Sequence, residues 1–331
     1  MSTLYIDRDG TTLDVRGGIT LINVPSCELK KVPVKYVSRV VVRSNATLTS
    51  AALVGFAKVG IPLLVMGGRS GSQVAQLGGA MHLDARKRQV QTLYLNDSEN
   101  RVQFAKQIVR TKIRRQLGTI AQLQSARSDL RKPLFDSRNT LCNVLSDVAF
   151  QETATLDSIR GYEGAAAAAY FNAYFQCFAP SLGATRRTKR PPTDPVNATL
   201  SLAYTMLTSR AVNACWVAGL DPALGALHAI SHGRPALACD LVEPFRPAVD
   251  LWVWHLFRSN TLRLEHFGTE GSGTCLLGKA GRGHFYKAWE DFAARQEQAL
   301  LRYARTISRH FSALHENSMA WVDESLDWET Q

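Results

Sequence analysis

The spacing of apolar residues changes near residue 80, and this change constrains the fold more than any other feature of the chain. Up to about Gly79, apolar residues stand in short or alternating runs that Gly, Pro and Asn interrupt, which is typical of β-strands. In this part only residues 48–58 have helical spacing, and Gly17-Gly18 predicts a hairpin turn. From Asp84 onward, apolar residues recur at about every 3.6 positions, which predicts helices.

The two patterns predict an α+β fold, in which a small N-terminal β-rich domain precedes a larger all-α domain. We place the β-sheet domain at residues 1–80, a linker at 81–84 and the α-helical domain at 85–331. No run approaches the ~18 apolar residues of a membrane span, and the N-terminus lacks the pattern of a signal peptide. The six cysteines contain no CxxC pair, so we interpret them as reduced core residues of a cytoplasmic protein.

Three separated segments carry residue types that bind metal ions. Glu163 lies in RGYEGAAAAAYF, His228 ends LDPALGALH, and CDLVEPFRPAVD contains Asp240 and Glu243. Carboxylates among apolar residues require a partner, and one cation satisfies several of them together. Carboxylate oxygens suit Mg²⁺ and Mn²⁺, and a single imidazole favours Mn²⁺ without excluding Mg²⁺. The sequence therefore predicts a divalent-metal site from these four residues.

Each of the four residues also fits a structural role when it is considered alone. Glu163 fits an exposed position, and His228 fits a hydrogen-bonded histidine of the core. Glu243 fits an ion pair with Arg246, three residues further along, which would place both side chains on one helix face. Arg246 is placed either to orient the Glu243 carboxylate or to hold a phosphate.

The chain is strongly basic, with a formal charge of +11, and its cations are clustered. The run Arg186-Arg187-Thr188-Lys189-Arg190 continues into Pro191-Pro192, which excludes an interior helix and indicates a charged loop. Between Arg101 and Arg115, basic residues follow one helix face, where they either contact phosphates or are only solvated. Lys279 and Arg282 stand in a glycine-rich loop or hairpin. We predict nucleic-acid contacts for Arg186, Arg187, Lys189, Arg190, Arg246, Lys279 and Arg282.

An acidic metal pocket in a basic protein is the combination that a phosphodiester enzyme requires. A bound metal polarises the phosphoryl oxygen, activates the attacking oxygen and neutralises charge on the leaving oxygen. The basic surface attracts the polyanionic substrate. The sequence therefore favours a divalent-metal-dependent enzyme that acts on DNA.

Four segments, in order, resemble the CRISPR-associated integrase family, the universal nuclease of spacer acquisition. They are GYEGAAAAAYF, RPPTDPVNATLSLAY, DPALGALH and DLVEPFRPAVD. The resemblance implies a β-rich domain, to which we assign dimerisation, an α-helical catalytic domain and a homodimer. It implies assembly with a small partner protein into a CRISPR adaptation complex. By motif, it implies that Glu163, His228 and Asp240 are the metal ligands and that Glu243 is an accompanying acidic residue.

Family members bind short duplex DNA and join it into a repeat array, so the resemblance favours one reaction. We predict an endonuclease and integrase in which a DNA 3′-hydroxyl attacks a repeat phosphodiester. One alternative is a structure-selective nuclease that hydrolyses branched DNA. The other is a basic DNA-binding scaffold without catalysis, which the presence of all four candidate ligands disfavours.

Overall fold

The protein is described by a computed structural model that covers residues 2–67, 73–81, 84–150, 154–188, 191–271 and 273–323. An N-terminal strand-rich part precedes a helical part, as the α+β prediction requires. The strand-rich part consists of β1 (Ser2–Ile6), β2 (Thr12–Arg16), β3 (Ile19–Asn23), β4 (Lys30–Pro33), β5 (Val37–Val42), β6 (Thr47–Leu48), α1 (Ser50–Lys58), β7 (Leu63–Gly67) and β8 (Gln73–Leu77).

These strands form two sheets, with strand orders β1-β5-β7-β8 and β4-β3-β2-β6. In the first sheet, β1, β5 and β7 are parallel, and β8 pairs antiparallel with β7. In the second sheet, β2 and β3 form the predicted hairpin. Gly17 and Gly18 turn it with φ values of +55° and +75°, a conformation that glycine adopts without steric cost.

The helical part consists of α2 (Ala85–Asn96), α3 (Ser98–Ala126), α4 (Arg131–Phe150), α5 (Leu156–Gln176), α6 (Pro195–Ala218), α7 (Ala236–Val242), α8 (Arg246–Arg258) and α9 (Lys279–Asp323). Asp84 caps α2 at the predicted boundary, since its side chain accepts a hydrogen bond from the Arg86 backbone N–H. A short antiparallel hairpin, β9 (Phe267–Thr269) with β10 (Cys275–Leu277), precedes α9. None of the helices in the described ranges is long and apolar enough to cross a membrane.

The sheet that contains β5 and β7 is buried on both faces, which joins the two parts of the chain. Val40 and Val42 belong to a core between the two sheets, whereas Val41 belongs to the core of the helices. Leu64 and Met66 of β7 also pack into the helical core. Because successive side chains of a strand point to opposite faces, one strand contributes to both cores. The division at residues 1–80, 81–84 and 85–331 into separate domains stays a prediction, as does dimerisation through the first.

A set of ion pairs and hydrogen bonds also connects the first sheet to the helices, and we name it the boundary network. Arg39 of β5 and Arg210 of α6 both pair with Glu297 of α9, and Arg210 also pairs with Glu290 at 3.1 Å. Two hydroxyl groups of β1 complete it by donating to Glu290: those of Thr3 at 2.7 Å and Tyr5 at 2.5 Å.

The cysteines are free thiols in the structure, and they differ in burial. Cys177, Cys215 and Cys275 are buried in the core, and Cys239 is half-buried. Cys27 and Cys142 are exposed, so the interpretation of all six as core residues is wrong for these two.

Candidate active site

The predicted ligands converge where α3, α5 and the turn between α7 and α8 meet the loop that carries His228. Glu163 lies on α5, Asp240 lies on α7, and Glu243 begins a 3₁₀ turn at residues 243–245. Lys112 of α3 stands between Glu163 and Glu243. We name Lys112, Glu163, His228, Asp240, Glu243 and Arg246 the active-site cluster.

Asp240 is fully buried, and its carboxylate holds the His228 loop. Its Oδ2 accepts hydrogen bonds from the backbone N–H groups of Ala226 at 2.6 Å and Leu227 at 3.0 Å. Its Oδ1 accepts the backbone N–H of His228 at 3.0 Å and lies 2.6 Å from His228 Nδ1. With Nδ1 held in this way, His228 presents Nε2 to the cluster, at 3.7 Å from Glu243 Oε1.

The loop before His228 approaches α7 so closely that it requires a glycine. A Cβ atom on Gly225 would lie 2.6 Å from the carbonyl carbon of Ala236 and 2.8 Å from Asp240 Oδ2. Real Cβ atoms essentially never make such contacts. Gly225 in the segment DPALGALH therefore lets the backbone reach the Asp240 carboxylate.

Three side chains, from α2, α3 and α5, bind carbonyl groups of the same loop. Gln91 of α2 donates to the carbonyls of Asp221 and Leu224, and its own carbonyl accepts the Asp221 N–H at 2.7 Å. Arg101 of α3 donates to the carbonyl of Ala226, and Arg160 of α5 donates to that of Leu227 at 2.9 Å. The position of His228 is thus fixed by bonds to both the N–H and the carbonyl groups of its loop.

Lys112 neutralises two glutamates. Its Nζ donates a short hydrogen bond to Glu163 Oε1 and lies 2.6 Å from Glu243 Oε2. The Lys112 and Glu243 side chains are 7% and 3% exposed, whereas Glu163 is 29% exposed, so the cluster opens to solvent on the Glu163 side. Glu243 Oε2 is buried, and the Lys112 ammonium group is its polar contact.

The charges of the cluster keep both Glu243 and Lys112 ionised. Burial raises the pKa of Glu243, but Arg246 and Lys112 oppose this effect and hold it at about 2. Burial lowers the pKa of Lys112, and the two glutamates more than compensate, so the net shift is upward. Arg246 Nη1 lies 3.0 Å from Glu243 Oε1, as the ion-pair reading of these two residues predicts.

Arg246 connects the cluster to a second buried carboxylate. Its guanidinium group stacks over the Tyr204 ring at 5.0 Å, and the Tyr204 hydroxyl donates a short hydrogen bond to Asp250. Tyr170 also donates to Asp250, at 3.0 Å. Burial raises the pKa of Asp250 to about 6, although both tyrosine hydroxyls lower it. These contacts fix the position of Arg246 next to Glu243.

The donor set fits a divalent cation. Two carboxylates and an imidazole nitrogen suit Mg²⁺ or Mn²⁺. A positively charged group, the Lys112 ammonium, already lies between the carboxylates of Glu163 and Glu243. Within the described residues, no group of three His, Cys, Asp or Glu side chains is arranged to hold a metal as it stands.

The structure separates the predicted DNA-contacting residues into exposed and bonded ones. Arg186 and Lys279 are exposed. Arg187 is half-buried and donates to the carbonyl of Thr188 and to the side chains of Asn197 and Ser201. Arg282 pairs with Asp7 at 2.8 Å and donates to the Leu277 carbonyl. The guanidinium groups of Arg187 and Arg282 are therefore bonded within the fold, and DNA contact through them stays a prediction.

The other predicted contacts have different outcomes. Arg246 takes the first of its two predicted roles, since it pairs with Glu243. Lys189 and Arg190 lie outside the described residues. The basic face of α3 is also divided, since Arg114 and Arg115 are exposed while Lys112 is buried in the cluster.

Lys112 is the residue that the sequence interpretation missed, although the sequence contains a signal for it. Lys112 follows Ile108 by four positions and Val109 by three, so it lies on the apolar face of α3. A lysine at such a position is buried, and a buried lysine requires an anionic partner. In contrast, Gln91 and Arg160 bind carbonyl groups of a loop, and spacing does not reveal such contacts.

Comparison with known proteins identifies the family of the chain. A family model described as CRISPR associated protein Cas1 matches residues 4–291. The CRISPR-associated endonuclease Cas1 1 of Thermodesulfovibrio yellowstonii is 34% identical over 297 residues, which cover 89% of this chain and 92% of that protein. The chain therefore belongs to the Cas1 family.

Solved structures share the fold over nearly the whole chain. A casposase bound to integration product matches with a TM-score of 0.81 at 19% identity, over 95% of this chain and 91% of that chain. A chain of a Cas6-RT-Cas1–Cas2 complex matches with a TM-score of 0.80 at 21% identity, over 95% of this chain and 35% of that chain. At these identities, the likeness establishes the architecture.

Proposed function

We propose that this member of the Cas1 family is a divalent-metal-dependent DNA endonuclease and integrase. It joins short duplex DNA into a CRISPR repeat array by attack of a DNA 3′-hydroxyl on a phosphodiester. The convergence of Glu163 and Glu243 on the Lys112 ammonium, with His228 Nε2 at 3.7 Å from Glu243 Oε1, carries this proposal. The relative from Thermodesulfovibrio yellowstonii is named an endonuclease, and the casposase with the same fold is bound to an integration product.

In this proposal, Glu163, Glu243 and His228 through Nε2 hold Mg²⁺ or Mn²⁺, and Asp240 positions His228. The assignment exchanges the roles that the sequence resemblance implies for Asp240 and Glu243. It rests on the contacts of the two carboxylates, because both Asp240 oxygens already accept backbone N–H groups of the His228 loop, whereas Glu243 Oε2 contacts the Lys112 ammonium, a cation. When bound, the cation would polarise the scissile phosphate and activate the attacking hydroxyl.

The remaining residues of the cluster position these ligands. Arg246 holds Glu243 Oε1, so it fixes the orientation of a carboxylate whose second oxygen faces Lys112. Asp240 directs Nε2 of His228 into the cluster by binding Nδ1. Burial of Asp240 and Glu243 excludes water from these contacts, which strengthens their electrostatic interactions.

The substrate and partners are proposed on charge and on relatives. The formal charge of +11, with Arg186 and Lys279 exposed, suits a DNA duplex. A chain of the same fold occurs in a complex with Cas2, which supports a small partner protein in CRISPR adaptation. We include a homodimer in the proposal as well.

A DNA-joining assay tests the proposal. Donor duplexes with intact 3′-hydroxyl ends and a repeat-containing target would be incubated with the protein and the partner, in Mg²⁺, Mn²⁺ or chelator. We expect joined product with either metal and none with chelator. Donors with 3′-deoxy ends should give no joined product but should allow nicking.

The result that contradicts the proposal is equally specific. If intact ends never give joined product with Mn²⁺ and the partner present, and nicking continues, the protein is a hydrolytic nuclease. If chelator leaves joining unchanged, the metal is not part of the mechanism. DNA binding, measured in parallel with chelator, controls for loss of substrate contact.

A further inference from the structure

The cluster contains a cation of its own at the position where a metal ion would bind. Lys112 Nζ is the group that contacts both Glu163 and Glu243, and its side chain is 7% exposed. A divalent cation that binds the same two carboxylates would lie within contact distance of this ammonium group. Two cations so close repel each other strongly in a poorly solvated site.

We infer that Lys112 occupies the metal site as a temporary cation, and that a divalent metal ion must displace its ammonium group from Glu163 and Glu243. This inference rests on the proposed metal centre. In the metal-free protein, Lys112 keeps the two carboxylates neutralised and near each other. Metal binding then becomes an exchange of one cation for another.

The identity of the side chain supports exchange over a permanent ion pair. Lysine carries its charge on a flexible four-carbon stem, so Nζ can withdraw while α3 stays in place. An arginine would hold a carboxylate with a planar pair of donors. The other cation of the cluster is such an arginine, Arg246, which contacts Glu243 through Oε1.

The exposure of Glu163 supports the same inference. Lys112 Nζ lies 2.6 Å from the buried Glu243 Oε2 and also contacts Glu163, whose side chain is 29% exposed. An ion from solvent can therefore approach Glu163 first, next to the ammonium group that it must displace.

Mn²⁺ binding to the full-length protein without DNA tests the inference. The free Mn²⁺ signal would be followed by electron paramagnetic resonance for the wild type and for Lys112→Met, which keeps most of the length but removes the competing charge. Because a competitor reduces the fraction of binding-competent sites, we expect the variant to bind Mn²⁺ about tenfold more tightly. Lys112→Arg should bind it less tightly than the wild type.

Arg114→Met is the matched control, since it removes one positive charge from an exposed position of the same helix. It should change Mn²⁺ affinity by about twofold at most, because exposed charges are screened. Equal or weaker Mn²⁺ binding by Lys112→Met would overturn the inference but leave the metal centre intact. Absence of Mn²⁺ binding to both wild type and Lys112→Met would overturn the metal centre itself.

A measurement on the wild type alone covers the case in which Lys112→Met does not fold. Acetylation of individual lysines by an amine-reactive reagent would be followed by mass spectrometry. Lys112 should be protected with chelator and should react several-fold faster with saturating Mg²⁺, whereas exposed Lys279 should react equally in both. If Lys112 is equally protected with and without Mg²⁺, the ammonium group is not displaced.

Discussion

The active-site cluster and the boundary network have similar charged residues but differ in the cation that bridges their glutamates. The boundary network pairs two glutamates with Arg39 and Arg210, and the active-site cluster pairs two glutamates with Lys112 and Arg246. The four basic side chains are largely buried. In the boundary network, all four oxygens of Glu290 and Glu297 accept a hydrogen bond, and arginines supply both cations. In the active-site cluster, one of the two cations is a lysine, whose ammonium group bridges Glu163 and Glu243.

This difference distinguishes a fixed ionic network from one that can receive an ion. Arginine holds carboxylates in a planar arrangement, which suits a permanent contact between β5, α6 and α9. A flexible lysine that bridges two carboxylates can withdraw from them, which allows exchange. The number of charged residues does not distinguish the two networks, whereas the type of cation that bridges the glutamates does.

The largest expected effect is loss of DNA joining when a proposed metal ligand is removed. Glu163→Gln, His228→Ala and Glu243→Gln should each lower the joining rate by about 10³-fold or more, since a metal supplies several kcal/mol of transition-state stabilisation. The rate would be measured under single-turnover conditions with Mn²⁺. DNA affinity should stay within about threefold of wild type, because the basic surface is unchanged.

Glu290→Gln in the boundary network is the matched comparison for Glu243→Gln. It also neutralises a glutamate beside an arginine, but it lies outside the cluster. The folded variant should join DNA at a rate near that of the wild type. If Glu290→Gln lowers joining as much as Glu243→Gln, the proposed distinction between the two networks is incorrect.

The second effect concerns stability. Arg210 is 4% exposed and pairs with Glu290 and Glu297, so Arg210→Met should lower the free energy of unfolding. Breaking a buried ion pair costs about 3–5 kcal/mol. Since both glutamates are about one-third exposed, we expect about 2–3 kcal/mol here. Urea unfolding measures the change.

Arg16→Met is the control for Arg210→Met, because Arg16 is 79% exposed and pairs with Asp14 on the surface. It should change the free energy of unfolding by at most about 0.5 kcal/mol. Equal destabilisation by Arg16→Met and Arg210→Met would mean that burial of the boundary network does not strengthen it.

The third effect separates Asp240 from Glu243 within the cluster. Asp240→Asn replaces a carboxylate that accepts three backbone N–H groups with an amide that has one oxygen. Residues that orient a metal ligand typically contribute 10–100-fold to metal affinity or activity, so we expect a decrease of about that size. Mn²⁺ titration and the joining rate check it. A loss as large as that of Glu243→Gln would restore Asp240 as a direct ligand.

The sequence predicts much of the fold and the positions of the site residues. Periodicity and glycines locate the strands, the hairpin at Gly17-Gly18 and the helices, because these features depend on neighbouring residues. The apolar residues next to Glu163, His228 and Asp240 in the sequence likewise indicate a buried polar site. These predictions depend on local patterns, which a single sequence contains.

The roles of Asp240, Lys112 and Arg282 depend on distant contacts that the sequence pattern does not contain. The Asp240 carboxylate accepts hydrogen bonds from backbone N–H groups of a loop. Nearly every residue has such a group, so no residue type in the sequence indicates these contacts. Arg282 pairs with Asp7, which lies 275 positions away, so the sequence pattern does not show that its charge has a partner. Lys112 contacts Glu163 only because α3 packs on α5. Tertiary packing therefore decides which charges remain available.

The smallest expected effect compares adjacent arginines, one free and one bonded. Arg186 is exposed, whereas Arg187 donates to Asn197 and Ser201. If Arg186 contacts a phosphate, Arg186→Ala should reduce the slope of log affinity against log salt by about 0.9. Arg187→Met should instead lower stability and leave the slope unchanged in the folded protein. Fluorescence anisotropy with a duplex at several salt concentrations measures both slopes. Equal slope changes for the two variants would mean that Arg187 leaves its bonds to bind DNA, so that even a bonded arginine of this protein can exchange partners.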